Sequence, residues 1–161
     1  MKYCPDCGDK LSTRIIDEVE RRVCIKNGCN YTFWNNPIPV VAALVHFNDK
    51  YIIARNANWP PGRYSVISGY LECAEDPEIA VLREVKEELG LDGVVTSYLG
   101  HHIFAEQNQL ILAFEVLAKG SVLTNDELVE IKYLTQEALL DYNFKPFYIT
   151  EKIINEWSKL K

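Results

Sequence analysis

Runs of apolar residues along the chain predict short strands and helices in mixed order. The longest run, Val40 to Phe47, is nearly continuous, which is typical of a strand covered on both faces. Asn48-Asp49 predicts a turn, and Tyr51 to Ala54 predicts the returning strand. Further strands are predicted within the Pro- and Gly-rich segment WPPGRYSVISGY and over Val94 to Leu99, Gln109 to Leu117 and Ile131 to Leu134.

Three other segments carry helical signals. In the first, Asp76 suits an N-cap, Pro77 the first helical position and Gly90 the residue that follows the last turn. The residues of this helix that face the core are expected among Ile79, Leu82, Val85, Lys86 and Leu89. Thr135 to Asp141 and Phe147 to Leu160 predict two more helices, and the second has an apolar face of Ile149, Ile153, Ile154 and Trp157. Strands and helices in this order predict an α/β sandwich with a mixed sheet.

The N-terminal segment carries two cysteine pairs instead of a long apolar pattern. Cys4 and Cys7 have the spacing C-x2-C, and Cys24 and Cys29 follow with C-x4-C. Turns such as CPDCG and CIKNGC each supply two thiolates to a tetrahedral zinc ion. Between the pairs, RIIDEVERRVC predicts a short strand or hairpin. The alternatives are four buried thiols without metal, or a redox role for CPDC, although no βαβ pattern follows it.

These features predict a zinc ribbon over residues 1–35 and a second domain over residues 36–161. So short a segment cannot bury enough apolar surface alone, so Zn2+ is expected to supply its folding energy and to be structural. The chain of 161 residues, 48% of them apolar, is long enough for one cored domain with such an appendage.

The net charge and the absence of targeting signals limit which partners and which cellular compartment we expect. The net charge of −6 argues against an extended contact with nucleic acid or an anionic membrane, but not against an anionic substrate bridged by metal. No run of roughly eighteen apolar residues occurs, so no membrane span is predicted. The start MKYCPDCGDK has no apolar signal region, so we expect a cytoplasmic chain with reduced thiols.

The segment from Gly69 to Leu91 concentrates carboxylates around the first predicted helix. Glu84, Glu87 and Glu88 fall at i, i+3 and i+4, so they share one face of the helix. Like charges at this spacing repel by a few tenths of a kcal/mol, roughly, per pair. Three carboxylates on one ridge are oxygen ligands suited to Mg2+ or Mn2+, whereas a solvated charged face is the plainer alternative.

The spacing of the whole segment distinguishes these alternatives. It fills every position of the pattern G-x5-E-x7-R-E-U-x-E-E-x-G-U, where U is apolar, from Gly69 through Glu75 and Arg83 to Leu91. The chain therefore resembles the Nudix hydrolases from about Val40 to its C-terminus, which implies the Nudix α/β/α sandwich. Four cysteines before this domain, and the segment PGRYSVISGYLE, look like the NADH pyrophosphatase branch and its zinc-ribbon relatives. NADH pyrophosphatases carry an SQPW-type motif downstream, where this chain has HHIFAEQNQLILAF, and its Asn108-Gln109 fits relatives without that motif.

The resemblance implies roles for residues of the segment from Gly69 to Leu91, which we call the box. Glu84 and Glu88 should bind the catalytic dication directly, helped by Glu87 and the main-chain carbonyl of Ser68. Gly69, Glu75 and Arg83 should support the site, with Glu75 holding Arg83. A further carboxylate is expected from the segment NDELVEIKYL, where Glu127 is the first candidate and Glu130 the second, and surface charge is the alternative for both.

Other residues are candidates on the substrate side. Tyr70 is expected to stack on a base, as in the branch that it resembles, or else simply to pack. Trp34 is expected either to form a second wall of the substrate site or to seal the ribbon to the domain. Arg55 and Arg63 are candidates for phosphate contacts, with solvent exposure as the alternative expected for each. We expect the remaining polar candidates to be structural, superficial or inert: His46, His101, His102 and Cys73.

Taken as implied by the resemblance, the function is metal-dependent hydrolysis of a phosphoanhydride in a nucleoside diphosphate linked to another group. NADH, ADP-ribose and FAD are the substrates of this class, AMP is the expected product, and a homodimer is common among such relatives. The alternatives are a house-cleaning hydrolase of nucleoside triphosphates, an enzyme that removes a dinucleotide cap from RNA, and a nucleotide sensor without catalysis. The complete glutamate set favours an enzyme, because a sensor need not keep it.

Overall fold

The computed structural model describes all 161 residues and divides into two compact units, residues 1–36 and 37–161. The first unit holds a three-stranded antiparallel sheet of β1 (Leu11–Ile16), β2 (Val19–Cys24) and β3 (Thr32–Phe33), in the order β1-β2-β3. The predicted hairpin between the cysteine pairs is therefore present. No helix of the structure is both long and apolar enough to cross a membrane.

A mixed sheet with helices on both faces forms the second unit, which confirms the predicted α/β fold. Its strands are β4 (Ile38–Phe47), β5 (Lys50–Asn56), β6 (Ile67–Tyr70), β7 (Asp92–Phe104), β8 (Gln109–Lys119) and β9 (Leu128–Leu134). The order is β7-β8-β4-β5-β9, with β6 paired to β4 beside β5. Only the β4–β8 pair is parallel, and it runs from Ile38 opposite Gln109 to His46 opposite Leu117.

The central strand β4 has the continuous apolar pattern because it is buried on both sides. Val41, Ala43 and Val45 face the helix α1 (Pro77–Leu89), and Val40, Ala42 and Leu44 face the opposite layer. That layer contains α2 (Gln136–Leu140) and α3 (Tyr148–Ser158). From α3, the fully buried Trp157 donates its Nε1–H to the buried carboxylate of Glu115 on β8 at 2.9 Å, which satisfies a polar pair inside the core.

The caps of α1 are the ones that the sequence predicts. Asp76 accepts a hydrogen bond from the backbone N–H of Glu78 at 2.9 Å, Pro77 begins the helix, and Gly90 follows it with φ 70°. The predicted core stripe is wrong at Ile79, which is 63% exposed. The residues of α1 that pack against the sheet are instead Ala80, Val81, Val85 and Leu89. The small Ala80 is therefore buried where the larger Ile79 was expected.

Candidate active site and metal centres

The three glutamates of the ridge on α1 differ sharply in their exposure. The side chain of Glu87 is 54% exposed, whereas that of Glu84 is 12% exposed and Glu88 is 7% exposed as a residue. A solvated charged face would leave all three in water. Two ionisable carboxylates held close together against the sheet are instead typical of a site that takes a cation.

Glu84 is covered because β6 passes directly over it. A Cβ atom added to Gly69 would lie 1.9 Å from Cδ of Glu84 and 2.1 Å from its Oε1, far inside van der Waals contact. Gly69 lies opposite Val41 on β4, so the sheet fixes this approach. The glycine of the pattern is therefore required by the space that the Glu84 carboxylate occupies, and not by a positive φ.

Arg83 holds the loop before α1 and the ridge together, and the contact expected with Glu75 is present. Its Nε and Nη2 donate to the two carboxylate oxygens of Glu75 at 2.8 and 3.0 Å. Its Nη1 donates to Glu84 at 2.7 Å and to Glu87 at 3.1 Å, and its Nη2 also donates to the Tyr70 carbonyl at 3.1 Å. A planar guanidinium can make this fork of bonds, whereas a lysine cannot.

The electrostatics of the ridge indicate that a positive charge belongs there. Burial, followed by the charges of Glu84, Glu127 and Glu87, raises the pKa of Glu88 to about 8. Burial also raises the pKa of Glu84, although Arg83 acts in the opposite direction. Oxygen ligands that resist ionisation in the free protein become fully ionised when a dication neutralises them, so this donor set fits Mg2+ or Mn2+.

Of the two candidates for a further carboxylate, only Glu127 contributes to the field at the ridge. Its charge raises the pKa of both Glu84 and Glu88. Glu130, on β9, is engaged elsewhere: its carboxylate accepts from Arg55 Nη2 at 3.1 Å and from the Tyr64 hydroxyl. We therefore retain Glu127 as the candidate ligand.

The exposure expected for the two arginines is wrong, since Arg55 and Arg63 are both half-buried. The side chain of Arg55 is 13% exposed, and its ion-pair partner Glu130 lies opposite it on the neighbouring strand. Sequence reasoning missed this pair and Tyr64, and no local signal could have found them, because Arg55 and Glu130 are 75 residues apart.

The residues considered for substrate contacts have different surroundings. Tyr70 is 60% exposed at the end of β6, one residue from Gly69, so its ring is available to a ligand. Ser68 lies opposite Ala42 on β4 and is exposed. Within the first unit Trp34 is 49% exposed, and the guanidinium of Arg21 lies 4.6 Å from its ring centroid.

The other polar candidates lie outside the ridge or have structural partners. His46 stacks on Tyr51 with ring centroids 4.8 Å apart. His101 is exposed, and His102 is half-buried with a pKa that is lowered by burial. Cys73 is exposed on the loop before α1.

The four N-terminal cysteines converge on one point. Their Sγ atoms all lie within 4.8 Å of one another, with Cys4 and Cys29 3.7 Å apart and Cys7 and Cys24 3.5 Å apart. Zn–S bonds of about 2.3 Å in a tetrahedron require S–S distances of about 3.8 Å, so the cluster fits Zn2+ closely. Two turns build it: Gly8 N–H donates to the Cys4 carbonyl at 2.9 Å, and Cys29 N–H donates to the Lys26 carbonyl at 3.0 Å.

Two curated hydrolases are similar in sequence to most of this chain. NAD-capped RNA hydrolase NUDT12 of Homo sapiens is 30% identical over 150 residues, covering 87% of this chain and 32% of that protein. NAD-capped RNA hydrolase NudC of Pseudomonas aeruginosa strain LESB58 is 29% identical, covering 86% of this chain and 49% of that protein. The chain thus spans about a third to a half of the length of these curated relatives.

A solved NUDIX hydrolase from Nitrosomonas europaea has the same fold, with a TM-score of 0.82 at 18% identity, and the match covers 100% of this chain and 92% of that one. The crystal structure titled MutT protein from Methanosarcina mazei Go1 matches with a TM-score of 0.65 at 20% identity, over 80% of this chain and 99% of the other. The family model of the NUDIX domain matches residues 37–153. The chain belongs to the Nudix hydrolase family.

Proposed function

We propose that this Nudix hydrolase cleaves the diphosphate of a nucleoside diphosphate linked to another group, the class of NADH, ADP-ribose and FAD, and releases a nucleoside monophosphate such as AMP. The observation that carries the proposal is the ridge, in which the Glu84 carboxylate lies against Gly69 and accepts a hydrogen bond from Arg83, while Glu88 is buried. Its donor set suits a dication, and such an ion would in turn hold the anionic diphosphate of the substrate.

The metal site would be formed by Glu84, Glu88 and Glu127, with Glu87 and the Ser68 carbonyl in support. A bound Mg2+ or Mn2+ supplies charge neutralisation at the diphosphate and lowers the pKa of a bound water. The protein's own part is positional. Arg83 fixes the direction of the Glu84 carboxylate, and the passage of β6 over Glu84 shields this carboxylate from much of the bulk water.

The exposed ring of Tyr70 next to the ridge supports a nucleoside substrate. Stacking of a base on an aromatic side chain is worth about 1–3 kcal/mol, which favours an adenylyl diphosphate over a bare sugar diphosphate. The names of the relatives, NAD-capped RNA hydrolases, also support a dinucleotide diphosphate as the group that is cleaved.

In the N-terminal unit we propose a structural Zn2+ held by Cys4, Cys7, Cys24 and Cys29. Four soft donors at these distances suit Zn2+ better than Mg2+, which prefers oxygen ligands. Zinc therefore belongs to the ribbon, and the catalytic dication belongs to the ridge.

A panel of substrates tests the proposal. Purified protein with Mg2+ or Mn2+ is given NADH, NAD, ADP-ribose, FAD, diadenosine polyphosphates, deoxynucleoside triphosphates and NAD-capped RNA, and the nucleotide products are separated and identified. Cleavage of the capped RNA is followed by the release of nicotinamide mononucleotide, because the adenosine stays attached to the RNA. We expect AMP from ADP-ribose, FAD and NADH, with no strong bias toward NADH because the SQPW-type motif is absent. Hydrolysis of deoxynucleoside triphosphates alone would contradict the proposed substrate class, and turnover of capped RNA alone would show that the RNA is part of the recognised substrate.

A further inference from the structure

Arg55 joins the end of β5 to two separate parts of the domain. Its Nη1 donates to the Trp59 carbonyl at 2.9 Å, and its Nη2 donates to Glu130 on β9 at 3.1 Å. Glu130 also accepts from the Tyr64 hydroxyl, so its carboxylate has partners on both sides. The hydrogen bond from Arg55, then that from Tyr64, lowers the pKa of Glu130, which keeps this carboxylate charged. With both terminal nitrogens engaged in this way, Arg55 is poorly placed to bind a substrate phosphate.

The bond to Trp59 closes the turn that follows β5. Within the turn, Trp59 N–H donates to the Asn56 carbonyl at 2.9 Å, and Asn58 N–H donates to the Asn56 side chain at 2.9 Å. Arg55 thus ties the turn to the strand that precedes it, and through Glu130 to β9. A turn fastened at both ends has little freedom to move its intervening backbone groups.

The same turn holds the backbone of Glu127. Ala57 N–H donates to the Glu127 carbonyl at 2.7 Å, and this bond lies just beyond the last paired residues of β5 and β9, Asn56 and Leu128. On its other side, Glu127 N–H donates to the Asn125 side chain at 3.0 Å. The direction in which the Glu127 side chain leaves the backbone is therefore set by two hydrogen bonds, one of which comes from the turn that Arg55 closes.

We propose that Arg55 is a positioning residue that orients Glu127 toward the metal site on the ridge, acting through the turn 56–59 and through Glu130. The inference rests on the proposed role of Glu127 as a metal ligand. Partners that orient a ligand in this way typically change metal affinity by about 10–100-fold when they are removed. In this role Arg55 itself contacts neither metal nor substrate.

Binding of Mn2+ to the zinc-loaded protein, followed by electron paramagnetic resonance without any substrate, tests the proposal. Arg55→Met and Glu127→Gln should each weaken Mn2+ binding by about tenfold or more, and the double variant should bind no more weakly than Glu127→Gln alone. Lys159→Met removes an exposed ion pair with Glu156 on α3, and serves as the control with unchanged affinity. Arg55→Lys keeps the charge but lacks the forked donors. If Arg55→Met fails to fold, Arg55→Lys replaces it and should also weaken Mn2+ binding.

Three results would overturn the inference. Wild-type Mn2+ affinity in both Arg55 variants, with Glu127→Gln weakened, would show that Arg55 does not position this ligand. An equal further loss when Arg55→Met is added to Glu127→Gln would show that Arg55 acts independently of Glu127. Wild-type affinity in Glu127→Gln would remove the ligand itself. None of these results bears on whether a nucleoside diphosphate is cleaved, because the measurement contains no substrate.

Discussion

Neutralising Glu88 should stabilise the protein when the ridge is free of dications. Glu88 is 7% exposed and surrounded by the charges of Glu84, Glu127 and Glu87, so its ionised form is disfavoured in the folded state. Glu88→Gln keeps the shape of the side chain and removes the charge. The variant should therefore lose activity yet gain stability at neutral and higher pH, a combination expected of a site built for a ligand rather than for folding.

The size and sign of the effect follow from the pKa of Glu88, which folding raises from 4.5 to about 8. Between these values the folded state binds more protons than the unfolded state, so the contribution of Glu88 to stability falls as pH rises from about 4.5 to about 8. A full shift of that size lowers the free energy of unfolding of the wild type by about 4 kcal/mol at pH 7.5, relative to a protein in which Glu88 stays neutral. Water that reaches the ridge screens part of it, so we expect Glu88→Gln to exceed wild type by about 2–4 kcal/mol at pH 7.5 and to be nearly equal to it at pH 4.5.

The assay is urea denaturation of both proteins at a series of pH values, in buffer depleted of Mg2+ and Mn2+. No chelator is added, because a chelator would also remove zinc from the thiolates. Glu87→Gln is the matched control: its side chain is 54% exposed, so its stability should differ little from wild type at any pH. Equal stability of wild type and Glu88→Gln at pH 7.5, or a difference between them that does not change with pH, would refute the reasoning.

Three further predictions follow from the site and the ribbon. Gly69→Ala should abolish most activity and weaken Mn2+ binding, because its Cβ would lie 1.9 Å from Cδ of Glu84; wild-type kinetics with an unshifted Glu84 in a crystal structure would contradict this. Tyr70→Ala should lower kcat/KM for ADP-ribose by about 5–150-fold, with a smaller loss for Tyr70→Phe, and equal losses in both variants would argue against stacking. Protein purified without chelator should contain one Zn2+ per chain by metal analysis, and Cys24→Ser should lose it; less than about half an equivalent in the wild type with reduced cysteines would count against the zinc site.

Elements with strong local signals are the ones that sequence reasoning places correctly. The limits of α1 follow from Asp76, Pro77 and Gly90, because capping depends on residues that are close in sequence. The strand β7 is longer than predicted, Asp92–Phe104 instead of Val94 to Leu99, because antiparallel pairing with β8 continues past a register shift after Tyr98. Strand ends set by a distant partner have no local signal to read.

In the candidate site too, the sequence predicts the features that depend on neighbouring residues but not those that depend on distant ones. The spacing of the box identifies Glu84, Glu87 and Glu88, since helical periodicity places them on one face. It does not distinguish their exposure, which depends on β6 passing over Glu84 and leaving Glu87 in water. The Arg55–Glu130 pair was missed for a related reason: its two members meet only through the pairing of β5 with β9.

The central proposal, that the ridge is the catalytic metal site of a hydrolase acting on a nucleoside diphosphate linked to another group, is tested most directly by AMP release from ADP-ribose with saturating Mg2+ in wild type and Glu88→Gln. Loss of a metal ligand removes several kcal/mol of transition-state stabilisation, so we predict AMP from the wild type and a fall in kcat of roughly 10³-fold in the variant, with the fold retained. Turnover by Glu88→Gln close to that of the wild type would contradict the assignment of the ridge, and absence of AMP with the wild-type protein would contradict the assignment of the substrate.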